Sequence, residues 1–171
     1  MERPSDRDGH ATAGANLPAT PEVALRQARM VSTALILGPL LFYGTVYLLD
    51  SGLGGASPDV GGLTPRLAFM LWAVLALGLF PVALFFRNRA AGKADAARRT
   101  STPLTPRELG EVTVNSTIAS ALMESPALLA GVLSFLLSDT QLIPWAAFVF
   151  LVGMGIVFPR ADWYGVDVRR L

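Results

Sequence analysis

The chain has 171 residues, of which 52% are hydrophobic and 16% charged, with a net charge of +1 and no cysteine. Soluble domains carry about 25% charged residues, so this chain has little surface to offer water. The near-neutral balance gives no global field for nucleic acid, the missing thiols exclude disulfides and thiolate metal sites, and the single histidine, His10, gives no basis for a histidine metal site or a catalytic triad.

Residues 1–19 are polar and rich in Gly, Pro, Ala and Asp, and read as a flexible cytoplasmic tail. The first apolar run begins only at Met30, which does not fit a signal peptide. The remainder, 20–171, reads as one transmembrane domain with helices at about 30–49, 67–86, 112–137 and 142–158. Each run is near the ~20 residues that cross a hydrocarbon core, and the fourth is close to the lower limit of ~17. Backbone polar groups must be satisfied internally in lipid, so these runs are expected to be helices.

Thr20-Pro21, Thr64-Pro65 and Thr105-Pro106 each place an N-cap threonine before a proline at the first helical position. Thr105 and Glu108 also have capping-box spacing. Pro39, Pro81 and Pro126 lie inside apolar runs, where a membrane bundle tolerates them as kinks.

Of the fourteen Lys and Arg residues, only Arg66 falls between the first two runs or between the last two. The others precede the first run, follow the fourth, or fill the basic loop 88–111 and its edges. The positive-inside rule puts both termini and that loop in the cytoplasm. The Gly-rich loop 51–64 and the turn near Ser138–Gln141 then face outward, and Trp163 and Tyr164 are expected at the cytoplasmic interface. The Ala-, Arg- and Gly-rich composition points to a bacterial inner membrane.

The first and third runs resemble each other. Val31–Ser51 laid on Ile118–Ser138 matches at Ala34/Ala121, Leu35/Leu122, Pro39/Pro126, Leu41/Leu128, Gly44/Gly131, Leu49/Leu136 and Ser51/Ser138. This predicts two repeated helical hairpins in the same membrane orientation. Glu124 aligns with Leu37, so only one copy carries a carboxylate.

Glu124 is the residue with most to explain. A charged side chain at the bilayer centre costs at least ~2.5–3.5 kcal/mol, and such residues usually face a bundle interior or an ion pathway. Thr117, Ser120, Glu124, Ala127 and Gly131 follow helical spacing and share one small, polar face. Removal from water favours the neutral form of a carboxyl, so a buried Glu124 could hold a proton and release it. Gly44, Gly131, Gly153 and Gly155 are read as helix-packing glycines.

Ala-Leu-Met-Glu-Ser-Pro-Ala-Leu-Leu-Ala-Gly-Val-Leu-Ser-Phe-Leu-Leu, residues 121–137, resembles the carboxylate-bearing helix of the rotary ATPase proteolipid, subunit c. The resemblance implies that Glu124 is the ion-binding carboxylate and that Ser125 donates a hydroxyl beside it. It also implies assembly as a homo-oligomer. The chain departs from that family in lacking a run of alternate glycines and an Arg-Gln-Pro loop, and in placing the carboxylate-type helix first in each pair.

The leading expectation is therefore a small membrane protein that handles a proton at Glu124, with Ser125, Ser120 and Thr117 around it. The other is a non-transporting scaffold or assembly factor, bound to another membrane protein, in which Glu124 is hydrogen-bonded and structural. With no nucleophile–base pair and no ligand cluster, no enzyme activity, metal or cofactor is expected. Beyond the lipid bilayer the sequence names no partner.

Overall fold

The structure, a computed structural model, describes residues 20–53 and 62–166, the side chains of 51–53 excepted. The tail 1–19, most of the Gly-rich loop and the basic residues Arg169 and Arg170 lie outside the described residues.

Four helices follow in order: α1 (Pro21–Leu53), α2 (Pro65–Arg99), α3 (Pro106–Leu137) and α4 (Leu142–Val157). A short 3-10 turn, Ala161–Tyr164, comes after α4. The four helices are long and apolar enough to cross a membrane. Large apolar side chains stand on their outer faces, among them Leu41, Val74, Leu77 and Phe148. Exposed hydrophobic surface of that extent is costly in water and suits lipid. The chain is an all-α, multi-pass membrane protein.

Each threonine–proline pair starts a helix. Thr20, Thr64 and Thr105 accept from the backbone N–H three residues on, at 3.4, 3.2 and 3.3 Å. At α3 the box is closed by Glu108, whose carboxylate accepts from the Thr105 N–H at 2.8 Å. The helices continue through Pro39, Pro81 and Pro126. Ser138, in the left-handed region at φ 46°, ends α3 and turns the chain into α4.

The predicted basic loop 88–111 is mostly helix. α2 continues to Arg99, α3 begins at Pro106, and only 100–105 connects them. Hydropathy marks where a helix leaves lipid, and helix propensity marks where it ends. The segment Ala90–Ala97 is rich in alanine, the best helix former, so α2 runs on past its last apolar turn. Its 35 residues span about 52 Å at ~1.5 Å per residue, against a hydrocarbon core of ~30 Å.

α3 is the hub of the bundle. α1, α2 and α4 each pack on it, whereas α1 and α2, consecutive in the chain, touch each other little. Its most apolar stretch is 44% buried, against 22% for α1 and for α2. Small residues on α3, including Ser116, Ala119, Ser120, Ala127, Ala130 and Gly131, let three neighbours approach at once.

Two apolar cores result. The larger joins Tyr43 of α1 and Trp72 of α2 to Met123, Ala127 and Leu133 of α3 and Phe150 and Met154 of α4. The second lies at the basic end, where Ala24, Leu25, Ala90, Ala94, Leu109 and Val112 close around Trp163 and Tyr164. Trp163 and Tyr164, expected at the cytoplasmic interface, are buried within the protein there, 4% and 1% exposed. The chain turns back under the bundle after Pro159 and drives both rings into the space between the protruding helix ends.

Candidate functional site

The polar face of α3 is turned toward α1, and the contacts run in order along both helices. Ser32 and Ser120 hydroxyls meet at 3.1 Å, both fully buried. The Tyr43 hydroxyl donates to the Ala127 carbonyl at 2.7 Å. Gly131 lies under the aromatic pair Phe42 and Tyr43, and a Cβ added there would come within 2.6 Å of the Phe42 ring. Because residue numbers rise together on the two helices, α1 and α3 are parallel.

Glu124 sits between the Ser120 and Ala127 contacts. Its Oε1 lies 3.4 Å from the point where a Cβ on Gly38 would stand, so the carboxyl rests against the bare backbone of α1. The side chain is half-buried, and Gly38 and Ser125 beside it are exposed. The carboxyl thus occupies the edge of the α1–α3 seam, within reach of the surrounding lipid. Among the described residues it has neither a hydrogen-bond donor nor a cationic partner.

The hydroxyls expected around it are committed elsewhere. Ser120 donates to the Ser116 carbonyl at 3.1 Å besides meeting Ser32. Ser125 folds back on the Ala121 carbonyl at 3.1 Å, one residue before Pro126. Thr117 is half-buried and joins none of these bonds. The four residues are therefore near one another along α3 without converging on one point. Toward the basic end the polar face continues, with Ser116 meeting the Tyr164 hydroxyl at 3.2 Å and donating to the Thr113 carbonyl at 2.9 Å. Beyond Glu124, toward the opposite end, the seam is closed by Tyr43 and Phe42 on Gly131.

Of the four packing glycines, Gly131 and Gly153 lie at helix contacts. A Cβ on Gly153 would come within 2.7 Å of the Met123 sulfur. Gly44 and Gly155 face open space, so the expectation that they serve packing is not met within this chain. α1 turns Tyr43 and Val46 toward its neighbours, which leaves Gly44 on the outer side.

Ser32 and Gly38 enter the site without having been singled out in the sequence, and Tyr164, expected at the interface, joins it through Ser116. Ser32 carries a signal, a hydroxyl in an apolar run. Gly38 carries none, because which residue of α1 meets Glu124 depends on how the two helices are rotated against each other. Among the described residues no three His, Asp or Glu side chains cluster as a metal site would require. No protein-family model, no curated protein and no solved structure matches the chain.

Proposed function

We propose that this protein handles a proton in the membrane, with Glu124 as the carboxyl that takes it up and gives it back. One observation carries the reading: Glu124 sits at the edge of the α1–α3 seam with no partner among the described residues. A carboxyl kept to fix helix packing would be bonded across the seam, since an unpaired buried polar group loses stability. Ser120, one turn away, is positioned for that task and bonds to Ser32 instead. An unpartnered acid is free to exchange its proton. A bound metal cation would need several converging oxygens, and the hydroxyls of Ser120 and Ser125 are already engaged.

The polar face below Glu124, through Ser120, Ser116 and Tyr164, supports access from the basic end, which we assign to the cytoplasm of a bacterial inner membrane. The register of the α1–α3 pair supports the duplication. Ser32 meets Ser120, 88 positions on, and Tyr43 meets Ala127, 84 positions on, close to the shift that aligns the two copies. The likeness to the proteolipid helix adds a homo-oligomer as the assembled form.

The test is labelling by a hydrophobic carbodiimide in native membranes, since that reagent attacks the protonated acid. Labelling is expected at low pH, and should fall as pH is raised and vanish in Glu124→Gln. A wild-type protein that takes no label at any pH would overturn the reading and favour a scaffold with a structural Glu124.

A further inference from the structure

At the basic end a cavity of about 390 Å³ opens between the start of α1 and the end of α4. Arg29 and Arg160 line it, with Asp162, Gly155, Phe158 and Pro159. We propose that this cavity holds the phosphate of an anionic membrane lipid.

Depth is the first argument. Arg29 is the last charged residue before the uncharged stretch 30–49, and Arg160 is the first after the uncharged stretch 142–159. Two helices therefore bring an arginine to the same cavity at the level where each leaves the hydrocarbon. Lipid phosphates occupy that level.

Charge is the second. The Nε of Arg29 donates to the Pro159 carbonyl at 3.5 Å, which fixes the guanidinium and leaves its two terminal nitrogens without a partner among the described residues. The Arg160 side chain is exposed and has no bond or ion pair there. Asp162, the acidic residue of the lining, is already matched by Arg98, with a carboxylate–guanidinium distance of 3.6 Å. Two unmatched guanidiniums remain, and their planar forks suit a phosphate diester.

Shape is the third. A Cβ on Gly155 would meet nothing within 4 Å. Gly155 is exposed beside the arginines, and α1 and α4 make few contacts with each other. A headgroup held by the arginines can lay an acyl chain across the open space at Gly155. A free phosphate would use the arginines alone.

The experiment uses the full chain in mild detergent, with retained lipid measured by native mass spectrometry against phosphatidylglycerol and phosphatidylcholine. Retention of phosphatidylglycerol is expected to exceed that of phosphatidylcholine. Arg160→Gln, at an exposed position, should cut it about fivefold, the factor that matches ~1 kcal/mol per basic residue at an anionic surface. Gly155→Leu, which fills the open space beside the arginines and leaves the charges, should also reduce it. Arg66→Gln, at the opposite end of the bundle, should not. Equal loss in Arg160→Gln and Arg66→Gln would overturn the site. So would full displacement of the lipid by millimolar inorganic phosphate, which would make a soluble phosphate the ligand.

Discussion

Gly131 and Gly44 are matched positions of the two similar helices, yet only one of them is in contact. A side chain at Gly131 would enter the Phe42 ring, whereas one at Gly44 would meet nothing. Gly131→Val should lower stability by ~1–3 kcal/mol, the usual cost of overpacking a closed site. Gly44→Val should change it by less than ~0.5 kcal/mol. Denaturant titration of both variants in detergent checks this, and equal losses would mean the aromatic contact does not control the seam. The same asymmetry governs what the sequence could reveal. Glu124 was legible because a carboxylate in an apolar run has to be accounted for. Its neighbour Gly38 was not, since it differs from other small residues of α1 only in where the helix rotation places it. Gly44 and Gly155 meet no neighbour within this chain, and their sequence pattern could not show it, because glycine is common in membrane helices whether or not a neighbour approaches.

The starts of α1, α2 and α3 were written in threonine–proline pairs, while the end of α2 was hidden by the change in solvent. Apolar periodicity stops where lipid stops, so the extension of α2 to Arg99 was not seen, whereas Thr105-Pro106 marked the start of α3 ahead of its apolar run. Their protruding ends build the second core, and the 3-10 turn after α4 closes it. That turn is held by Ser116 on Tyr164, by the Arg87 guanidinium 5.8 Å from the Trp163 ring centre, and by Arg98 on the Asp162 carbonyl. Four residues thus draw on α2 and α3 together. Trp163→Ala should cost ~3–5 kcal/mol, as large-to-small changes do in closed cores. It should also make the connection 100–105 more sensitive to protease. A loss below ~1 kcal/mol would show that the turn rests on the bundle without supporting it.

Membrane spans and their number were legible because composition alone imposes them; how the helices are arranged was not. Nothing in four apolar runs says that the third is central, since that follows from how much of α3 is buried against its three neighbours. The absence of native cysteine makes the crossing pattern directly testable. Thr102→Cys and Gln141→Cys, both at exposed positions, should react with an impermeant maleimide from opposite sides of sealed vesicles. Reaction of both from one side would break the four-pass arrangement. The central place of α3 also bears on how the protein is made. Synthesis delivers α1 and α2 first, and these two have little surface for each other. They must wait in the bilayer as separate helices, each facing lipid on all sides, until the third arrives. Ser32 and Trp72 then find their places only after more than half of the chain has been translated, so assembly of this bundle is gated by the emergence of a single helix.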